Sequence, residues 1–331
     1  MPGRQSSPRL MDPLLENIVN SVIPLFSVIF IGFFAGKAKV VDQLAVRSLV
    51  MFVFNIAMPA LLFRMMATTD IGAIEDWPII GAYLAAQTPI FLAGMLIGGM
   101  LLRQSFAEMT IQGFGSSFSN SVVLGLPLAL SLYGEQGGVA ALLIIMLDIL
   151  LFSIVTLLLE LARLREEEDK DIRLLGVVRD ITFSVLKHPL ILASALGVGW
   201  GISGAALPTM VEGTLAFTGQ AGPPAGLFAL GASLSLRRVR GNLQPASIMI
   251  ALKLAIHPLL AWFVVTRLFN LDPVTASVAI LFAACPVGAN TYVFAEQYGS
   301  AVETSAAAVL ISTGIALFSL SALIYILLII N

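Results

Sequence analysis

The sequence predicts an all-α polytopic membrane protein of ten transmembrane helices, arranged as two inverted five-helix repeats. Three observations predict it: an apolar composition, a series of apolar stretches of span length, and an internal repeat at a fixed offset. Of the 331 residues, 58% are hydrophobic and 11% charged, with a mean hydropathy of +0.95. Soluble domains carry roughly 25% charged residues. This chain lacks the polar surface to cover a water-soluble globule, and hydrocarbon is its natural solvent.

The same composition excludes other classes. A net charge of −2 gives no basic field for nucleic acid. A single cysteine, Cys285, rules out a disulfide framework, and His188 and His257 are too few for zinc chemistry. No metal or organic cofactor is expected. The opening MPGRQSSPRLMDPLLE is polar and lacks the apolar core of a signal peptide. Met11 is an alternative start.

Taken in order, the stretches run at about 17–36, 44–66, 77–102, 107–133, 137–162, 184–204, 208–235, 245–269, 274–299 and 304–329. They divide the chain into a first repeat (1–162), a hydrophilic linker (163–183) and a second repeat (184–331). The linker contains LREEEDKDIR and reads as a solvated connector. Lysines and arginines orient the chain. The odd-numbered loops hold Lys37, Lys39, Arg47, Arg103, Arg163, Arg165, Lys170, Arg173, Arg179, Lys187, Arg237, Arg238 and Arg240. The termini and even-numbered loops hold only Arg4, Arg9, Arg64 and Arg267. Positive loops stay in the cytoplasm, so both termini are expected outside.

Adding 165 to a position in the first half finds its match in the second. Pro24-Leu25 maps to Pro189-Leu190, Gly32 and Gly36 to Gly197 and Gly201, Pro59 and Phe63 to Pro224 and Phe228, and Tyr133-Gly134 to Tyr298-Gly299. Five spans is an odd number, so the second copy enters from the opposite side. Inverted repeats of this kind are an architecture of secondary transporters, whose site lies near the midplane at the repeat interface.

Spans 4 and 9 are interrupted near their centres. Span 4 reads GSSFSNSVVLGLP, with Ser119, Asn120, Ser121 and Pro127; span 9 reads CPVGANT, with Pro286, Asn290 and Thr291. Proline removes a backbone donor, and neighbouring glycine and serine permit unwinding. Exposed half-helix ends survive at membrane depth only inside protein or beside a watery cavity. They can receive an ion or a carboxylate, the amino ends favouring the anion. These residues are the candidate substrate contacts, Asn120 and Asn290 foremost, because an amide offers donors and acceptors together. Spans 2 and 7 carry equivalent prolines, with Asn55 opposite Gln220 in the repeat; shaping the scaffold is the favoured reading.

Charges inside the spans are expensive and mark candidate functional residues. Asp148 sits halfway along span 5, and Lys253 a third of the way into span 8. An ion pair between them is expected, either fixed or acting as a proton or substrate switch. His257, one turn beyond Lys253, is a candidate member of that relay.

The stretches IVNSVIPLFSVIFIGFFAGK, NIAMPALLF, SNSVVLGLPLALSLYG and CPVGANTYVFAEQYG, in this order and spacing, resemble the auxin efflux carrier family. Its members include bacterial organic-acid carriers and the plant PIN exporters. The resemblance covers nearly the whole chain. It implies the fold shared with bile acid sodium symporters and the antiporter NhaA, in which spans 4 and 9 are broken and cross, at Pro127 and Pro286 here. It implies a scaffold of spans 1, 2, 6 and 7 and a moving core of the other six. It also implies an organic anion carried by an elevator motion across a cell (inner) membrane. The linker, at about 20 residues, is far shorter than the central loop of many plant members, so small mono- or dicarboxylates are better candidates than auxin. The resemblance leaves the coupling ion, H+ or Na+, and a homodimer open. The other reading is a sodium-coupled symporter of a bile-acid-like or neutral solute. An intramembrane enzyme is disfavoured, because no nucleophile motif stands beside the Asp148 and His257 pairing.

Overall fold

The computed structural model describes residues 13–68, 77–166, 189–236 and 243–330. Most of the acidic linker, both chain ends, His188 and the Arg237, Arg238 and Arg240 cluster lie outside the described residues.

Helix α1 spans Pro13–Lys37 and carries Pro24 inside it. Asp42 caps the next helix by accepting a bond from the Ala45 amide at 2.8 Å. That helix, α2, spans Gln43–Thr68 and is widened by a π-turn at Val53–Ala57. Helix α3 is Pro78–Met100. A capping box of Ser105 and Glu108 then starts α4, Phe106–Ser117. After a break come α5, Ser121–Gly134, and α6, Gln136–Arg163.

The second half follows. It contains α7 (Pro189–Ile202), α8 (Thr209–Gln220), α9 (Gly222–Ser235) and α10 (Leu243–Leu268). Then come α11 (Pro273–Ala284), α12 (Asn290–Gln297) and α13 (Val302–Ile330). The chain is all-helical among the described residues, and α2, α3, α6, α10 and α13 are long and apolar enough to cross a membrane. Helices α5 and α11 and the larger parts of α1 and α7 are apolar but shorter. The expected single spans at 107–133, 208–235 and 274–299 are each two helices.

Three π-turns share one cause. Val53–Ala57, Ser121–Gly125 and Leu252–Ile256 end two residues before Pro59, Pro127 and Pro258. A proline ring clashes with the carbonyl of the preceding turn, and a wider turn relieves the clash. Gly134 and Gly299, 165 residues apart, end α5 and follow α12 with φ of 61° and 63°. Only a residue without a side chain adopts that conformation freely.

Helix α1 packs along α9, and α2 along α7 and α8. Helix α3 packs on α4, and α10 on α11 and α13. A cluster that includes Met58, Tyr83, Leu126, Ile144, Val264 and Phe282 joins α2, α3, α5, α6, α10 and α11 into one buried mass. The functional residues are embedded in that mass.

Candidate functional site

Helix α4 stops at Ser117 and α11 at Ala284, each followed by an extended residue, Phe118 (ψ 130°) and Cys285 (ψ 150°). The two breaks meet. Ser119 and Val287 form an antiparallel bridge. The Asn120 amide donates to the Pro286 carbonyl at 3.1 Å, and the Gly288 amide to the Phe118 carbonyl at 3.1 Å. The Val287 amide is covered by the Ser312 hydroxyl at 3.1 Å. Unwound backbone in a membrane span needs such partners, and each break supplies the other's.

Four helix ends therefore converge: the carboxyl ends of α4 and α11 and the amino ends of α5 and α12. Asn120 is the residue before α5 and makes no side-chain cap there. It is 5% exposed, and its Nδ2 has no hydrogen-bond partner. Asn290 opens α12 and is half-buried. Thr291 is fully buried with an unpartnered Oγ1. Ser119 donates to the Phe282 carbonyl at 2.6 Å, and Ser121 to the Ser119 carbonyl at 3.1 Å. Pro286 lies within the break of span 9. Pro127 does not lie within that of span 4, which opens at Phe118–Asn120 and closes before the π-turn. Pro127 instead lies inside the second segment, two residues beyond the π-turn that relieves its clash with the preceding turn.

On one side the breaks are sealed by aromatic rings. Phe118 stacks on Phe114 at 4.9 Å and lies 5.0 Å from Phe152, while Phe294 lies 5.2 Å from Phe114. A cavity of about 350 Å³, lined by Arg103, Gln104, Glu108, Gln244 and Glu303, sits at the amino end of α4, the opposite end from its break.

The charged residues lie directly behind the breaks, but not as the expected ion pair. Asp148 is 3% exposed, and neither carboxyl oxygen has a hydrogen-bond partner. Ser121 stands beside it but turns its hydroxyl to Ser119, and Lys253 interacts with it only through space. Lys253 donates instead to the Ala283 carbonyl, with Phe282 O at 3.5 Å and His257 Nδ1 at 3.3 Å. The open carboxyl end of α11 offers an ammonium fixed carbonyl acceptors and a negative helix-end charge, which outcompete a carboxyl across the gap. His257 is fully buried, with Nε2 unpartnered.

Two residues of this network were missed by sequence reasoning. The Tyr83 hydroxyl lies 3.4 Å from Ser119 Oγ, and its ring lies 5.9 Å from that of His257. A phenol inside an apolar span was the available signal, since a buried tyrosine needs a partner. Ser312 had no signal beyond being one serine among several in its helix.

A helical membrane chain with an unpartnered amide and an unpartnered carboxyl at the meeting of two broken spans belongs among membrane transport proteins. The family described as membrane transport protein matches residues 17–324, and the chain belongs to it: this is the auxin efflux carrier family. A protein of Rhizobium meliloti (strain 1021), provisionally named a malonate transporter, is 28% identical over 94% of this chain and 96% of its own length. An uncharacterized transporter of Methanothermobacter thermautotrophicus is 25% identical over 91% of this chain and 95% of its own. The lysosomal cholesterol signaling protein of Mus musculus is 23% identical over 94% of this chain but only 37% of its own length.

Proposed function

We propose that this membrane transporter carries a small mono- or dicarboxylate, bound where the breaks of spans 4 and 9 meet. The observation that carries the reading is the meeting of the two breaks, after which α5 and α12 begin, at Asn120, whose Nδ2 is buried and unpartnered. Helix amino ends attract anions, and an amide N–H adds a directed donor. Malonate, taken from the name of the Rhizobium relative, is the first candidate.

The fold we propose is the ten-span inverted repeat. In support, Lys39 and Gly204, 165 residues apart, share a left-handed φ of 60° and 67°. Ala57 and Gly222, also one repeat apart, touch each other: a methyl on Gly222 would stand 3.4 Å from Ala57 Cβ. A residue that meets its own copy lies on the axis relating the copies. The close packing of α1 on α9 and of α2 on α7 and α8 fits a scaffold along which the remaining helices move as an elevator. Asp148 is the proton-coupling group in this reading, facing Ser121 of α5, Tyr83 of α3 and Lys253 of α10. The odd-numbered loops are cytoplasmic and both termini outside.

The test is uptake of labelled malonate and other small carboxylates into proteoliposomes of the purified protein, under imposed proton or voltage gradients. Saturable uptake by the wild type, lost in Asn120→Ala and Asn290→Ala, supports the reading. Uptake equal in wild type and both variants removes the site, and no carboxylate uptake by well-folded protein removes the substrate class.

A further inference from the structure

We propose that the turn between α1 and α2 is a binding site for the phosphate of an anionic phospholipid, held by Lys37, Lys39 and Arg47. The site lies outside the two breaks and does not depend on the carrier reading.

Helix α1 closes with two backbone bonds. The Lys39 amide donates to the Gly36 carbonyl at 3.0 Å, and the Val40 amide to the Ala35 carbonyl at 2.9 Å. This closing turn puts Lys39 in the left-handed region, with φ of 60°. Glycine is the usual residue there, because a side chain is crowded by the following carbonyl. The chain makes the same turn 165 residues later and does use glycine. Gly204 has φ of 67°, and its amide donates to the Gly201 carbonyl at 3.1 Å. Lysine at the first turn adds nothing to the backbone geometry; what it adds is charge. A residue held against its local preference points to function. The neighbouring cations are also confined to this turn: 165 residues on, Lys37 becomes Ile202 and Arg47 becomes Glu212.

The fold gathers the three cations at one corner. The last turn of α1 lies against α9, where a methyl on Gly36 would stand 3.0 Å from the Ala232 carbonyl oxygen, and the start of α2 packs on the same helix. Lys37, Lys39 and Arg47 are all exposed, and among the described residues no ion pair reaches them. The one carboxylate of the segment, Asp42, is turned to the Ala45 amide. Three cations thus face one carboxylate that is already engaged, and the corner attracts an anion.

The apolar neighbours say where that anion comes from. Phe30, Phe34 and Lys37 share one face of α1, and both phenylalanines are exposed. On α2 the exposed Met51 stands one turn before Arg47 on the way to the turn. Each face therefore runs from apolar to cationic toward the turn, the order of a phospholipid from acyl chain to phosphate. Val40 and Leu44, set among the cations, are 79% and 72% exposed. Apolar groups mixed with lysine and arginine suit the boundary between headgroup and acyl chain. A free phosphate would leave these apolar faces bare, whereas a lipid phosphate brings chains that cover them.

The experiment titrates the purified protein in detergent with phosphatidylglycerol or phosphatidylcholine, reading bound lipid by native mass spectrometry and the unfolding temperature beside it. Wild type is expected to retain phosphatidylglycerol in preference to phosphatidylcholine and to unfold at a higher temperature with it. Each cation near a membrane surface is worth about five-fold in affinity, so Lys37→Gln, Lys39→Gln and Arg47→Gln together should weaken phosphatidylglycerol binding roughly a hundred-fold. Lys39→Gly should unfold no more easily than wild type without lipid, because glycine suits the turn, yet bind phosphatidylglycerol about five-fold more weakly. Arg267→Gln, which removes one cation at the other end of α10, should bind it like wild type. Equal retention of both lipids by wild type overturns the proposal. So does a triple variant with wild-type preference, or an Arg267→Gln protein that loses as much as Lys39→Gly. A rise in unfolding temperature with inorganic phosphate equal to that with phosphatidylglycerol assigns the corner to a free anion and overturns the lipid. Where the triple variant does not fold, Lys39→Gly decides alone.

Discussion

Gly32 and Phe228 pack backbone to backbone: a methyl on Gly32 would stand 2.9 Å from the Phe228 carbonyl carbon. One repeat later Gly197 meets Phe63 in the same way, with a methyl 2.6 Å from the carbonyl oxygen. The partners in each contact are those of the other, shifted by 165. The proposed inverted repeat expects this reciprocity of two copies related by a two-fold axis. It also brings α1 against α9 and α2 against α7 at backbone distance, the close approach that small residues allow between membrane helices.

Gly32→Ala and Gly197→Ala should therefore cost similar amounts. Each forces backbone apart rather than displacing a flexible side chain, a cost of about 1–3 kcal/mol. Unfolding of the two variants in detergent checks this. A marked loss in one variant and none in the other would remove the equivalence of the two contacts.

Asn120→Ala should weaken substrate binding more than it weakens the fold. Its Nδ2 has no partner within the protein, so its removal leaves nothing unsatisfied. A lost bond to a charged ligand is worth about 1.5–3 kcal/mol, so half-saturation should rise roughly ten-fold or more. Asn120→Asp, isosteric but anionic, should abolish uptake of carboxylates. Concentration series of uptake, beside unfolding curves, separate the two effects.

Ser119→Ala is the opposite case. The hydroxyl donates to the Phe282 carbonyl at 2.6 Å and lies 3.4 Å from the Tyr83 hydroxyl, so its loss strips partners from a buried network. Destabilisation of about 1–2 kcal/mol is expected. The low end is favoured because Lys253 also faces Phe282 O. Tyr83→Phe should cost less, and a double-mutant cycle should show coupling between the two positions.

The Arg64–Glu212 ion pair joins α2 to α8 at 3.1 Å, with side chains 35% and 41% exposed. Exposure at that level screens the attraction. Removing either partner should change stability by under about 1 kcal/mol, and the coupling in a double-mutant cycle should be smaller still.

Much of the helical architecture was legible because long apolar runs are dictated by the solvent. The breaks were legible because proline, glycine and serine cluster there, and Asn120 and Pro286 fall within them. Pro127 misled because a proline disrupts the turn before it, which puts the distortion upstream of the residue that causes it. The partner of Lys253 was not legible. Its acceptors are backbone carbonyls of Phe282 and Ala283, and every residue has a carbonyl, so no side chain announces them. A sequence search for its counter-charge finds Asp148, the one carboxyl at similar depth, and overlooks the helix end.

The π-turn at Leu252–Ile256 holds one residue more than an α-turn would, and Lys253 sits inside it. One residue of α-helix corresponds to a rotation of about 100°. Deleting a single codon between Leu254 and Ile256 would leave hydropathy and charge almost untouched, yet it would swing the ammonium away from the end of α11. The charge map behind the two breaks is thus written in chain length as much as in residue type.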